Sequence, residues 1–137
     1  GFLSELSRHR LISLSVESTR YVAYDKDKCN NEITFIKPYW VSNSDNLESY
    51  NNWLSCMHTC EIIYMRLRKQ GLPAEAARGV LPNDTKTEII ITANLREWQH
   101  IFNLRCDKSA HPDMRRVMIP LRDYLIEILP EVFSFRE

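Results

Sequence analysis

The chain has 137 residues and a mass of 16.2 kDa, which suits a single domain. Its composition, 44% hydrophobic and 26% charged, is typical of a globular protein and argues against wholesale disorder. Eighteen basic and eighteen acidic residues balance to a net charge of zero, which argues against a general nucleic-acid coat and against a polybasic membrane anchor.

Arginine outnumbers lysine, with twelve arginines against six lysines. Arginine is planar and bidentate and suits phosphate and carboxylate recognition, so we ask whether these arginines form a site. No apolar run reaches the roughly 18 residues of a membrane span, and the first residues lack the features of a signal peptide. The four cysteines include no Cys-x-x-Cys pair, so the composition predicts a reduced, cytoplasmic protein.

The first third of the chain mixes short helical, extended and turn-like segments. Residues 1–10 are typical of a helix end or of a loop that enters a strand. Residues 11–24 are rich in Ser, Val, Thr and Tyr, which predicts a strand with an irregular backbone. A polar turn is expected at 25–31, followed by a short alternating strand at 32–37 that Pro38 ends.

A long helix is predicted over residues 46–70, because its apolar residues recur every three or four positions. This stripe consists of Leu47, Tyr50, Trp53, Leu54, Met57, Cys60, Tyr64 and Leu67. Gly71 suits the position just after the helix, and Pro73 suits the start of a second short helix that ends at Ala77.

The remaining segments alternate between turn, strand and helix. Residues 81–84 predict a turn, and the β-branched run at 87–92 predicts a buried strand. Residues 95–104 are helical in pattern, and a last helix begins at Pro112 and is expected to kink at Pro120. The apolar stripe of this last helix is Met114, Val117, Met118, Leu121, Tyr124, Leu125 and Ile128. The expected fold class is α/β, of the α+β type. Two or three strands among four helices are few for a closed α/β core, so we expect missing N-terminal sequence or an oligomer.

The strongest motif lies at residues 8–21, which read RHRLISLSVESTRY. Two arginines flank a histidine, small hydroxyl residues follow, and Arg20 comes near the end. Arginine forks, hydroxyl groups and backbone N–H groups together suit the oxygens of a phosphate. Taken alone, so short a motif is equally typical of a solvated turn before an edge strand.

These residues resemble the signature of the flavin-dependent thymidylate synthases, the ThyX family, which is usually written RHRxxSxNExSxRY. A second block supports the resemblance, because the family elements RxxLP, T, NxRxxxHF, LR and AQxEIR follow in the same order. The corresponding segments are RGVLP at 78–82, Thr87, NLREWQH at 94–100, LR at 104–105 and AHPDMR at 110–115. The resemblance therefore covers nearly the whole chain.

Several positions depart from the family pattern. Ser15 and Val16 replace its Asn-Glu pair, with the acid Glu17 one place later. His111 replaces the Gln of AQxE, and Glu5 stands where many members carry Gln. Family members are generally longer, so we expect residues 1–137 to form a single ThyX-like catalytic domain without its N-terminal segment.

The resemblance implies a mixed sheet flanked by helices, and a homotetramer whose active sites draw residues from several subunits. It implies reductive methylation of dUMP to dTMP, with FAD as cofactor, NADPH as reductant and methylenetetrahydrofolate as the one-carbon donor. We expect no nucleic acid, membrane or metal ion as a partner. Family members use no cysteine nucleophile, and none of the four cysteines follows Pro and precedes His.

The resemblance also assigns roles by position. The implied flavin-binding residues are Arg8, His9, Arg10, Val16, Asn94, Leu95, Arg96 and His100. The implied dUMP-binding residues are Glu5, Arg8, Glu17, Ser18, Thr19, Arg20, Arg78 and Arg105. Arg20 and Arg78 are the natural phosphate ligands, because a dianion favours more than one guanidinium. Arg105 and Ser18 are the implied catalytic residues, and Arg105 would stabilise negative charge that develops on the uracil ring.

Local interpretations stay open beside these roles. Arg105 could also be a surface residue or interact with the dipole of its helix. His100 could be a partly buried helix histidine, and Ser18 could form hydrogen bonds only within its own strand. Cys56 and Cys60 share one helix face and are predicted to be core, and with nearby His58 they make only a weak metal set.

Three other functions are weighed against thymidylate synthesis. A relative that methylates or hydroxymethylates UMP or dUMP would carry the same motifs. A non-catalytic homologue that only binds nucleotide is the second alternative. A nucleic-acid-binding module is disfavoured, because the chain is neutral and no aromatic stacking platform lies beside the RHR segment.

Overall fold

The structure, a computed structural model, describes residues 2–20, 23–24, 32–42 and 46–134, so the expected turn at 25–31 lies outside the described residues. Its helices and strands are α1 (Phe2–Leu6), β1 (Ser13–Val16), α2 (Leu47–Lys69), α3 (Ala74–Ala77), β2 (Ile89–Thr92), α4 (Leu95–Arg105), α5 (Pro112–Ile128) and α6 (Pro130–Phe133). Short 3₁₀ turns cover Tyr39–Ser42 and Arg78–Val80. The chain divides into two compact units, which we call the terminal unit (Gly1–Ser15 with Ile90–Glu137) and the middle unit (Val16–Ile89).

The terminal unit is built on α4 and α5, with α6 packed against α5. The α5 helix begins at Pro112 as predicted, because proline suits the first helical position and the His111 side chain accepts from the Asp113 N–H. The helix continues through Pro120 to Ile128. The buried residues of this unit are Leu6, His9, Glu97, Ile101, Phe102, Ala110, Met114, Met118 and Phe133. The rings of Phe102 and Phe133 meet edge to face at 5.8 Å.

Only part of the predicted apolar stripe on α5 is buried. Met114 and Met118 are covered, but Val117, Tyr124 and Ile128 are each at least half exposed. The apolar stripe predicted for this helix is therefore not covered at these three residues. In the terminal unit α5 packs on α4 and α6. These two helices cover fewer of its apolar residues than the spacing of the stripe predicts.

The middle unit contains the long helix α2, and its observed bounds agree with the predicted 46–70. Gly71 has φ +91°, a left-handed conformation that an L side chain rarely adopts. The Leu72 N–H donates to the Leu67 carbonyl and the Gly71 N–H to the Arg68 carbonyl, which satisfies the last carbonyls of the helix. The prediction of a glycine C-cap is confirmed.

The apolar stripe of α2, whose spacing is that of a buried face, is only partly covered. Met57 and Tyr64 are buried, whereas Leu47 is 66% exposed and Leu54 is 47% exposed. Cys56 is also exposed, so its prediction as a core residue is wrong. The core of the middle unit gathers around the second half of the helix, at Tyr24, Ile33, Tyr64 and Ala77.

The described residues are mostly helical and contain a two-stranded antiparallel sheet of β1 and β2. The mixed α and β content is confirmed, but β1 is shorter than the strand predicted over 11–24. The strand predicted at 32–37 is wrong, because only one antiparallel bridge, between Phe35 and Thr85, forms there. The strand at 87–92 is present as Ile89–Thr92 but is not buried, since Ile90 is 69% exposed.

Within the described part of the chain, none of the helices has the length and apolar character needed to cross a membrane.

Candidate functional site

The terminal unit contains a buried polar network that begins at His9. This residue is 6% exposed, and its Nδ1 lies 3.3 Å from Oε1 of Glu97, which is 7% exposed. His9 and Glu97 are the buried polar or charged residues of the described chain. Because burying such groups is unfavourable unless they are paired, the contact is a specific feature of this unit.

Hydrogen bonds between residues close in the chain position both His9 and Glu97. The His9 N–H donates to the Leu6 carbonyl at 3.0 Å, which turns the chain back after α1. At the start of α4, the Asn94 side chain accepts from the Glu97 N–H at 2.8 Å. Asn94 thereby caps the helix and leaves the Glu97 side chain, in the first turn, to meet His9.

Arg105, the last residue of α4, completes the network with three hydrogen bonds. Its Nε donates to His9 Nε2 at 3.0 Å, its Nη1 to Glu5 Oε2 at 3.1 Å, and its Nη2 to the Glu5 backbone carbonyl at 2.8 Å. The side chain is 15% exposed. A guanidinium carries five N–H donors, so two remain for a ligand while the plane of the group is held.

The contacts of His9 with Glu97 and Arg105 are compatible with only one protonation state of the ring. Since a guanidinium has no acceptor, His9 Nε2 must be unprotonated and accept, and Nδ1 then carries the proton that is donated to Glu97. Burial is the main reason that the pKa of His9 lies below its usual value, and the positive charge of Arg105 lowers this pKa further. The bond to Glu97 and its negative charge act in the opposite direction.

His9, Glu97 and His100 also bring three possible metal-ligand atoms within 4.8 Å of one another. Two features of the site oppose a cation there. The Arg105 guanidinium lies 3.0 Å from His9 Nε2, and the Nδ1 proton of His9 already occupies a Glu97 oxygen. A metal ion would therefore have to displace an existing cation or proton.

Three further arginines of the terminal unit, Arg8, Arg10 and Arg96, are exposed. Across the residues that the structure describes, none of these three side chains has an ion-pair or hydrogen-bond partner. Arg96 lies in the first turn of α4, and His100 follows four residues later on the same face of the helix. An exposed guanidinium in the first turn of a helix suits an anionic ligand.

The middle unit contains a second cluster of cationic and hydroxyl groups. Arg78 Nη1 donates to Thr19 Oγ1 at 3.2 Å, and the Arg20 backbone N–H donates to Ser18 Oγ at 3.3 Å. Arg20 Nη2 also lies 3.6 Å from Glu75 Oε2, and both of these side chains are more than half exposed. Arg78 thus contacts the short segment 18–20, to which Arg20, the other predicted phosphate ligand, belongs.

The chain matches a known protein family over most of its length. Residues 1–131 match the sequence profile of the family described as thymidylate synthase complementing protein. The chain belongs to this family. The match extends over both motif blocks and both units, so the resemblance read from the sequence is confirmed.

Named relatives of the family are similar to this chain over most of its length. A flavin-dependent thymidylate synthase of Geobacter sulfurreducens is 35% identical over 129 residues, which are 94% of this chain and 53% of that protein. One of Pyrococcus furiosus is 36% identical over 82% of this chain and 45% of its own length. A probable one of Mycobacterium phage L5 is 32% identical over 96% of this chain and 56% of its own. The chain thus spans about half the length of these relatives.

The family motifs meet in part in the structure. Glu5, His9 and Arg105 contact one another in the terminal unit, and Ser18, Thr19, Arg20 and Arg78 are linked within the middle unit. Other predicted site residues, by contrast, make mainly backbone or cap contacts or lie at the surface. The Glu17 backbone bonds to Glu88 and Thr87, Val16 ends β1, Asn94 caps α4, and Leu95 is 50% exposed.

Two acidic residues at the site were missed by reasoning from the sequence. Glu97 fills an undefined position of the family pattern NxRxxxH, and Glu75 lies outside the motifs. The sequence Asn94-x-x-Glu97 matches a helix N-terminus with an acid at its third position, which would have placed Glu97 in the first turn. Nothing local indicated that its partner would be His9, which lies 88 positions away.

Proposed function

We propose that this chain is part of a flavin-dependent thymidylate synthase that converts dUMP to dTMP with methylenetetrahydrofolate and NADPH. The observation that carries the proposal is the network of Glu5, His9 and Arg105, in which His9 of the first family motif and nearby Glu5 hold the arginine side chain of the second motif in place. Membership of the family and the names of its relatives support the same activity.

The donor set of the terminal unit fits FAD. Arg8, Arg10 and Arg96 are exposed and without partners among the described residues, as suits groups that bind a pyrophosphate. His9, Val16, Asn94, Leu95 and His100 are the other residues that we assign to the flavin. When bound, FAD supplies the redox and one-carbon transfer chemistry, and the chain supplies binding and orientation.

Arg20 and Arg78 suit the phosphate of dUMP. The Arg78 guanidinium bonds to Thr19 Oγ1, and Arg20 is the next residue of the same segment, so both guanidinium groups can face a dianion. The hydroxyls of Ser18 and Thr19 can add further hydrogen bonds. Glu17 and Arg8 complete the residues that we assign to the nucleotide. The ion pair between Arg20 and Glu75 is exposed and weak, so a phosphate can displace the carboxylate.

Arg105 is the residue that we assign to the pyrimidine ring, with Glu5 beside it. Three hydrogen bonds fix its guanidinium before any ligand binds, so little reorganisation is needed when negative charge develops on the ring. Ser18 is assigned a catalytic role on the family motif, and it lies with Thr19 and Arg20 in the middle unit.

The complete protein is proposed to be a cytoplasmic homotetramer in which the two strands described here belong to a larger mixed sheet. Several large apolar residues support further packing partners, because Leu11, Leu47, Ile90 and Tyr124 are between 59% and 73% exposed. Apolar exposure of this extent is typical of surfaces that other chains or segments cover.

Flavin binding and release of tritium from C5 test the proposal. The purified protein should show flavin absorbance after reconstitution with FAD, and it should release tritium from [5-³H]dUMP only when methylenetetrahydrofolate and NADPH are both present. Product analysis then distinguishes thymidylate from a hydroxymethylated nucleotide. A protein that binds neither FAD nor dUMP would overturn the proposal.

A further inference from the structure

We infer that Glu97 is a positioning residue, which holds His9 in the Nδ1–H form so that Nε2 can accept from Arg105 and orient its guanidinium. The geometry of the buried network carries this inference: Glu97 Oε1 lies 3.3 Å from Nδ1, and Arg105 Nε lies 3.0 Å from Nε2. Its consequence for turnover rests on the proposed function, but its consequence for His9 does not.

The inference follows from which groups donate and which accept. A carboxylate only accepts and a guanidinium only donates, so an imidazole between them satisfies both in one tautomer alone. The other tautomer would direct Nε2–H at Arg105 N–H and leave Nδ1 without a proton for Glu97. Both His9 and Glu97 are more than nine-tenths buried, so water offers little compensation for the mismatch.

The charged surroundings of His9 support the same form. Arg105 and Glu97 bond to the ring, His100 meets it edge to face at 5.6 Å, and Glu5 faces Arg105 from α1. A doubly protonated His9 would place a second positive charge 3.0 Å from Arg105. A neutral ring with its proton on Nδ1 therefore avoids repulsion from Arg105 and keeps both hydrogen bonds.

Glu97 and Arg105 lie in the first and last turns of the same helix, α4. Eight residues of helix correspond to a rise of about 12 Å, so His9 links the two ends of α4 through side chains alone. Within the described residues, the Glu97 carboxylate pairs with His9. The α4 helix thus contributes both Glu97, which fixes the tautomer of His9, and Arg105, which donates a hydrogen bond to His9.

Long-range ¹H–¹⁵N correlation of histidine side chains tests the tautomer directly, with the His9→Asn spectrum assigning the signal. In the wild-type protein near pH 7.5, Nδ1 of His9 should be protonated and Nε2 unprotonated. Glu97→Ala should convert His9 to a mixture or to the Nε2–H form, whereas Glu97→Gln keeps an acceptor oxygen and should retain Nδ1–H. Glu127→Ala, which removes an exposed carboxylate on α5, should leave the signal unchanged.

The kinetic arm separates positioning from simple stability. Glu97→Ala should lower kcat by about tenfold to a hundredfold, as for other residues that orient a functional side chain, with flavin still bound. Glu97→Gln should restore most of this loss. A protonated Nε2 in the wild-type protein overturns the inference even if Glu97→Ala does not fold, as does an unchanged tautomer in a folded Glu97→Ala. A Glu97-dependent tautomer in a protein without turnover would overturn the proposed function alone.

Discussion

Arg105 donates from Nε to Nε2 of His9 at 3.0 Å, although the two residues are 96 positions apart in the chain. His9 belongs to the first family motif and Arg105 to the second. This hydrogen bond forms only if His9 Nε2 carries no proton. The protonation state of His9, in the first motif, therefore affects the orientation of the Arg105 side chain, in the second. This dependence leads to expectations for pH, for ligand binding and for the separate roles of the arginines.

Acidification should destabilise the protein through His9. The pKa of His9 is lowered by burial and then by the charge of Arg105, so the folded state binds a proton less readily than the unfolded state. The stability contributed by the neutral imidazole is complete above the unfolded pKa of about 6.5 and is lost as pH falls below it. The midpoint temperature of thermal unfolding should therefore decrease as the pH is lowered from 7.5 to 5.5. The His9→Asn variant should show a smaller decrease.

A histidine outside the network gives the matched control. The His58 side chain is 70% exposed on α2, so His58→Asn should keep the wild-type dependence of the unfolding midpoint on pH. If His9→Asn and the wild-type protein lose stability equally on acidification, another group is responsible and the assignment of His9 is wrong.

Arg96 and Arg105 should differ in their effect on flavin and on turnover. Arg96 is exposed and has no partner among the described residues, so Arg96→Ala should weaken flavin binding with little change in stability. Arg105→Ala should abolish turnover and keep flavin bound. It should also cost about 1–3 kcal/mol of unfolding free energy, because it leaves Glu5 and His9 without their partner.

Flavin absorbance on titration, tritium release and chemical denaturation measure these three effects separately. Arg122→Ala is a suitable control, because its bonds to Asp123 are local and lie outside both motif blocks. Equal losses of stability in Arg96→Ala and Arg105→Ala, with unchanged flavin affinity in both, would contradict the assignment of the two roles.

The helices were the part of the fold that the sequence predicted best. The bounds of α2 follow from the local spacing of its apolar residues, and the cap at Gly71 follows from a backbone conformation that favours glycine. Both signals can be read from a single sequence. The start of α5 at Pro112 is equally local. The sequence also marked Glu5, His9 and Arg105 as site residues through the family pattern, but it did not predict that they contact one another.

The errors concern interactions between distant segments. The 32–37 run alternates like a strand, but it pairs at one bridge only, between Phe35 and Thr85. Ile90 stands in a continuous apolar run, and such a run does not by itself show whether the strand is buried or exposed in the folded chain. The bond between His9 and Glu97 depends on tertiary packing, which no spacing along the chain indicates.

The two described glycines with open surroundings should respond oppositely to alanine. Gly71 has φ +91°, so Gly71→Ala should cost about 1 kcal/mol of unfolding free energy. Gly79 also has no neighbour within 4 Å of an added Cβ but lies in a 3₁₀ turn without positive φ. Gly79→Ala should therefore be neutral or stabilise by about 0.5 kcal/mol. Urea denaturation measures both, and equal effects would argue against the left-handed cap.

Removing the Glu75 carboxylate should strengthen phosphate binding in the middle unit. Glu75 Oε2 lies 3.6 Å from Arg20 Nη2 in an exposed ion pair, so it competes with any anion for that guanidinium. An exposed pair is worth less than about 1 kcal/mol, so Glu75→Gln should raise the affinity for dUMP by about two- to fivefold in calorimetric titrations. The gain should shrink at high salt, because ions screen the competing charge. Glu48→Gln, an exposed change on α2, should leave the affinity unchanged, and a weaker Glu75→Gln complex would mean that Glu75 instead orients Arg20 for the ligand.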